Sequence, residues 1–262
     1  VQDISGCPDP NVLAVCGAAP LAVTVAGYHE AIRSKSIGSM TLFVAPLDCA
    51  AMNETPVLGD FNDPKLSKLS KLLPKKSDRI SADEFTLLFA MLRPNDLIWN
   101  YWVNNYLMGD GPAAFDVLAW NSDATGMTAQ YNRDFQDFSA RNPLVTPGAM
   151  RFRDTPIADV SKFGFDSLVI AARTDHICPW PSVYRSAQML GDRCEFLLGG
   201  RGHIQTIVAP PGGKKDYYFL NPDNAKDAAG WLADAQRIEG SWWPYYVKWC
   251  AQRSGKQVAA PK

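Results

Sequence analysis

Cys16, Asp175 and His203 are the residues whose types and order fit nucleophilic chemistry. Cys16 ends the apolar run Asn11-Val-Leu-Ala-Val15 and precedes a small-residue segment, Gly17-Ala-Ala-Pro-Leu-Ala-Val-Thr-Val-Ala-Gly27. Asp175 lies just past Ser167-Leu-Val-Ile-Ala-Ala172, and His203 just past Cys194-Glu-Phe-Leu-Leu198. A free thiol has a pKa near about 8.5, so at neutral pH it needs a base or a positive helix end to become a nucleophile. A helix starting after Cys16 supplies the second and His203 the first. Asp175 would hold the imidazole in the required tautomer. The backbone N–H of Gly17 would face the oxygen on which charge develops. The chemistry expected is acyl transfer through a cysteine thioester.

Each of these residues has a plainer reading. A cysteine after a strand is often a packing residue, and Cys7, Cys16, Cys49, Cys178, Cys194 and Cys250 all compete for the role. Histidine is scarcer. His29 lies three to four helical turns beyond Cys16, out of reach. His176 adjoins Asp175, and neighbouring residues on an extended or tightly turning segment point apart. His203, with Gly200, Arg201 and Gly202 before it, sits in a segment expected to be a loop able to bend toward Cys16.

The elements that must position these groups are strands at about 11 to 15, 40 to 45, 167 to 172 and 194 to 198, each an apolar run suited to a sheet covered on both faces. Helices between successive strands imply parallel pairing. A sharp strand-to-helix turn bearing the nucleophile, then an acid, then a histidine, is the chain order of an α/β-hydrolase fold. We therefore expect a catalytic core in residues 1–47 and 157–262, with a mainly helical cap inserted at 48–156. Only about ten residues precede the turn, so the fold reads as partial, lacking N-terminal strands, and the chain as the C-terminal portion of a longer protein. In the insertion, Lys65-Leu-Ser-Lys-Leu-Ser-Lys-Leu-Leu-Pro-Lys-Lys76 reads as a solvated amphipathic helix. The aromatics Trp99, Tyr101, Trp102, Tyr106, Phe115 and Trp120 read as the cap's own core, some of them alternatively lining an acyl channel. A helix is expected over 224 to 237, followed by a tryptophan-rich tail packed as core.

Composition narrows the function. With 262 residues and a net charge of −1, the chain has no basic excess for nucleic acid, and no apolar run is long enough to span a membrane. The cysteines form no C-x-x-C pair, which argues against a zinc motif or disulfide framework and for reduced thiols in a cytoplasmic chain. No metal or cofactor is expected.

The segment Leu92-Arg-Pro-Asn-Asp-Leu-Ile-Trp-Asn-Tyr-Trp-Val-Asn-Asn-Tyr-Leu107 resembles the signature block of polyhydroxyalkanoate synthases. The resemblance continues through Pro112-Ala-Ala-Phe-Asp-Val-Leu-Ala-Trp-Asn121, Thr174-Asp-His-Ile-Cys-Pro-Trp180, Cys194-Glu-Phe-Leu-Leu-Gly-Gly-Arg-Gly-His-Ile-Gln205 and Ser241-Trp-Trp243. In wording these blocks are most similar to class II enzymes, which favour medium-chain monomers. The resemblance implies polymerisation of (R)-3-hydroxyacyl-CoA into polyester by a homodimer at the surface of cytoplasmic granules, with CoA entering as part of the substrate. It places the nucleophile on Cys16, the acid on Asp175 and the histidine on His203. The family turn has the form Gly-x-Cys-x-Gly, whereas Ala14 and Ala18 stand at its glycine positions here. Rival readings are a thioesterase or esterase of the same fold, with water as acceptor, and a non-catalytic granule-associated homologue or inactive fragment.

Overall fold

The computed structural model describes residues 1–52, 79–92, 94–111, 123–208, 210–213, 215–223, 225–256 and 259. The lysine-leucine segment 65–76 and the aromatic block 112–121 lie outside them. The chain divides into two compact units, Val1–Thr55 with Asn142–Lys262, and Pro56–Arg141.

The first unit is built on six strands, β1 (Asn11–Val15), β2 (Ser39–Phe43), β3 (Asp166–Ala172), β4 (Cys194–Gly199), β5 (Tyr217–Leu220) and β6 (Gln236–Glu239), lying side by side in that order. The first four pair in parallel. The last two pair antiparallel. Leu168, Val169, Ile170, Ala171 and Ala172 of β3 are fully buried, as a central parallel strand covered on both faces requires. β1 lies at one edge of the sheet, with Leu13 and Val15 exposed. The four expected strands are present. β2 stops at Phe43, two residues short of its expected end, because Val44 turns into the left-handed region (φ +44°) while its N–H donates to Ile170 O at 2.8 Å.

The described residues include the helices α1 (Ala19–Ala31), α2 (Ala82–Leu92), α3 (Ala129–Arg141), α4 (Trp180–Met189), α5 (His203–Val208), α6 (Ala228–Ala233) and α7 (Trp243–Ala251). The helix expected over 224 to 237 is shorter. Asp227 caps α6 by accepting the Gly230 N–H at 2.8 Å, and α6 places Trp231 against Tyr184 and Phe196, with ring centroids 5.8 and 4.8 Å away. Beyond Ala233 the chain extends into β6, where Arg237 lies 4.1 Å over the Tyr217 ring. That pairing with β5 outweighs the local helical pattern. The tail packs as core: Trp242 and Trp249 are buried, and their indole N–H groups donate to Thr206 O at 2.8 Å and Glu195 Oε1 at 2.9 Å.

Residues 48–49 and 142–158 belong with the sheet, where 48–156 was expected to form the insertion. The Cys49 N–H donates to Asn142 Oδ1 at 2.9 Å, Asn142 Nδ2 donates to Asp48 Oδ1 at 2.7 Å, and Asp48 meets Arg185 of α4. A short hairpin, Arg151–Phe152 with Thr155–Pro156, sets Phe152 4.9 Å from Tyr28 of α1. In the second unit, a capping box of Ser81 and Glu84 begins α2. Residues Asn95–Trp99 and Trp102–Leu107 form π-helical turns. Trp99, Trp102 and Tyr106 are exposed, the last two stacked at 4.4 Å, and so do not form that unit's core as expected. Among the described residues, no helix is long and apolar enough to cross a membrane.

Close packing fixes the segment that carries His203. An ideal Cβ on Gly199 would meet Thr206 Cγ2 of α5 at 2.4 Å. Gly199→Val is expected to push α5 away from β4 and destabilise the fold by about 1–3 kcal/mol, read by denaturant unfolding.

Candidate active site

The tight turn between β1 and α1 puts Cys16 in a left-handed conformation, with φ +50°. A residue without glycine's freedom is strained there, and such strain is characteristic of a side chain held out at the head of a strand. The flanking alanines are accommodated. Ala14 is buried in extended β1, and Ala18 is exposed with ordinary right-handed angles (φ −80°, ψ −16°). Gly17 occupies the turn Cys16–Ala18, and outside the turn's own chain no atom lies within 4 Å of where its Cβ would stand. The value of Gly17 is therefore its backbone, whose N–H favours the charged form of the Cys16 sulfur.

Asp175 follows β3 in a loop that uses both of its carboxylate oxygens. Oδ1 accepts the N–H groups of Ile177 at 2.8 Å and Cys178 at 2.9 Å, and Oδ2 lies 2.7 Å from His203 Nδ1. The Asp175 side chain is fully buried and that of His203 is 11% exposed, so water screens their pairing little. His203 begins α5, where a loop position was expected. Trp242 braces that helix through Thr206 O, and the Gly200 N–H donates to Tyr217 O at 2.9 Å. Asp175 holds Nδ1, and a ring nitrogen of His203 lies within 4.8 Å of the Cys16 sulfur. The structure thus brings together Cys16, Asp175 and His203, drawn from three strand ends, with Gly17 beside the sulfur.

Cys178 is the member of this group that spacing left undistinguished among the other cysteines. It is buried, and its sulfur lies 3.9 Å from that of Cys16. The signal in the sequence is its position three residues after Asp175, on the loop that the carboxylate organises.

The electrostatics of the four side chains interlock. Cys16 is lowered to about 5, chiefly by the Cys178 thiol donating to it, against the opposing effect of burial and with help from His203 and the Gly17 N–H. Cys178 is correspondingly pushed well up, because its proton is committed to Cys16 and its site is buried. Burial opposes charge on His203, yet the hydrogen bonds to Asp175 and Cys16 outweigh it and raise the ring to about 9. Both shifts act in one direction, favouring a Cys16 thiolate beside a His203 imidazolium near neutral pH. Cys178→Ala removes the largest influence lowering Cys16, so the pH midpoint for alkylation of Cys16 by iodoacetamide is expected to rise from about 5 toward the ordinary thiol range. An unmoved midpoint would mean that Cys178 donates nothing.

A family model described as the alpha/beta hydrolase fold matches residues 1–210. The whole chain is similar to poly(3-hydroxyalkanoate) polymerase 2 of Ectopseudomonas oleovorans, 42% identical over 262 residues, and to polymerase 1 of the same organism, 36% identical over 261 residues. It is also similar to the poly(3-hydroxyalkanoate) polymerase subunit PhaC of Cupriavidus necator, 33% identical over 266 residues that cover 99% of the chain. The chain spans about half the length of these curated relatives, 46% of the first two and 44% of the third.

Proposed function

Because the chain belongs to the α/β-hydrolase family, we propose that it carries the acyl-transfer chemistry of a poly(3-hydroxyalkanoate) polymerase. What supports this reading is the 42% identity to a polymerase over all 262 residues, together with a thiolate at the strand-to-helix turn that such chemistry needs.

The Cys16 thiolate attacks the thioester carbonyl of an (R)-3-hydroxyacyl-CoA, and the Gly17 N–H stabilises the oxyanion. The tetrahedral intermediate collapses, breaking the bond to CoA sulfur. The departing thiolate takes the imidazolium proton of His203, leaving the acyl group on Cys16. The neutral ring then accepts the proton of a 3-hydroxyl on the next monomer or chain end, whose oxygen attacks the acyl-cysteine and forms the ester. Asp175 keeps the Nδ1–H tautomer and stabilises the ring each time it becomes charged. CoA arrives with the substrate, and no separate cofactor takes part.

The motif wording favours medium-chain monomers, with the protein acting as a homodimer at the surface of cytoplasmic polyester granules. Exclusion of water from the site favours elongation of the acyl enzyme over its hydrolysis. The test is the fate of (R)-3-hydroxyoctanoyl-CoA. Release of CoA with insoluble polyester supports the polymerase, whereas release of free hydroxy acid alone would assign the same site to a thioesterase.

A further inference from the structure

The resting site holds two sulfurs and an imidazole within one small volume, and the mechanism above uses only one of the sulfurs. Donor atoms of Cys16, Cys178 and His203 all lie within 4.8 Å of one another. Cys16 and Cys178 are 162 positions apart, so no local ligand motif announces the cluster in the sequence. Its dimensions match a tetrahedral metal. Two thiolates bound to zinc at about 2.3 Å stand about 3.8 Å apart, and a thiolate and an imidazole about 3.6 Å apart. The two sulfurs here are 3.9 Å apart before any ion enters. The outer shell is also in place, since Asp175 holds His203 Nδ1 at 2.7 Å, the carboxylate–histidine arrangement that orients a ring toward a metal. Two sulfurs and one nitrogen select soft or borderline ions over magnesium or calcium, and three protein ligands leave a fourth position open.

We propose that Cys16, Cys178 and His203 form a binding site for a thiophilic divalent cation of the zinc type, and that a bound ion withholds the Cys16 sulfur from electrophiles. Entry of the ion displaces the Cys178 thiol proton and the imidazolium proton of His203, so that both sulfurs bind as thiolates and the ring binds through its nitrogen. The site rests on the geometry of the cluster alone. It stands whichever acyl acceptor Cys16 serves.

The experiment titrates the reduced, metal-free chain with Zn²⁺ against a chromophoric chelator, and with Co²⁺ to read the thiolate charge-transfer band. One equivalent is expected to bind. Mg²⁺ should not compete. A Cys7→Ser, Cys49→Ser, Cys250→Ser chain should retain that equivalent, whereas Cys178→Ala should weaken binding at least about 100-fold and Asp175→Asn about 10- to 100-fold. Circular dichroism checks that each variant is folded. In the unaltered chain, Zn²⁺ should slow iodoacetamide alkylation of Cys16, located by peptide mass, a readout that needs no substitution. Failure to bind Zn²⁺, full binding in folded Cys178→Ala, loss of the equivalent in the triple-serine chain, or unprotected Cys16 at saturating Zn²⁺ would each overturn the proposal.

Discussion

Cys16→Ala is expected to lower CoA release from an (R)-3-hydroxyacyl-CoA by about 10⁴- to 10⁶-fold, the scale of nucleophile loss from an acid–base–nucleophile constellation. The expectation follows from how unequal the two neighbouring thiols are. Cys178 is only 3.9 Å away, but its pKa is raised by the proton it gives to Cys16 and by burial, so at neutral pH it is a thiol. Cys16 is the thiolate, lowered to about 5. Truncating Cys16 removes a half-buried sulfur at a strained turn and little of the core, so thermal unfolding of the variant should differ little from that of the parent. Retained release in a folded Cys16→Ala chain would assign the nucleophile elsewhere.

Asp175→Asn is expected to cost about 10⁴-fold in the same assay, because it changes which ring nitrogen of His203 carries the proton. Asp175 Oδ1 is committed to the Ile177 and Cys178 N–H groups. An asparagine keeping those bonds must turn its NH₂ toward His203 Nδ1, which makes Nδ1 the acceptor and leaves the proton on the other ring nitrogen. That ring cannot take a proton from an incoming hydroxyl. The pH profile separates this from simple loosening of the loop. Burial alone would lower the His203 pKa, and Asp175 is the foremost group opposing it and holding the ring near 9. Without the carboxylate, the imidazolium is lost at lower pH, so the alkaline limb of residual activity should move down. An unmoved alkaline limb would confine Asp175 to a structural role.

The parts of this site that depend on local order were legible in the sequence. β1 to β4 are mainly apolar, the pattern that central parallel strands covered on both faces require and that β1 shares at the sheet edge, so the strand ends bearing Cys16, Asp175 and His203 could be located. What escaped depends on pairing at a distance. β6 carries Gln236, Arg237 and Glu239, polar residues that resemble the end of a helix until β5 is beside them. His203 was expected in a loop, yet it opens α5 because Trp242 and the glycines ending β4 let a helix pack close. Trp99, Trp102 and Tyr106 have core composition but lie exposed on π-helical turns, where hydrophobicity alone does not fix orientation. Cys178 could be named as one cysteine among six, but its effect on Cys16 exists only once β1 and the loop after β3 meet.

The central claim is that the growing acyl group passes through the Cys16 sulfur, and the most direct test is to catch it there. The chain is mixed with (R)-3-hydroxyoctanoyl-CoA, quenched in acid, digested, and its peptides weighed. A 3-hydroxyoctanoyl adduct on the Cys16 peptide, absent from Cys16→Ala and accompanied by free CoA, is the expected result. CoA release with Cys16 unmodified, or an adduct carried by Cys178 in its place, would contradict the account.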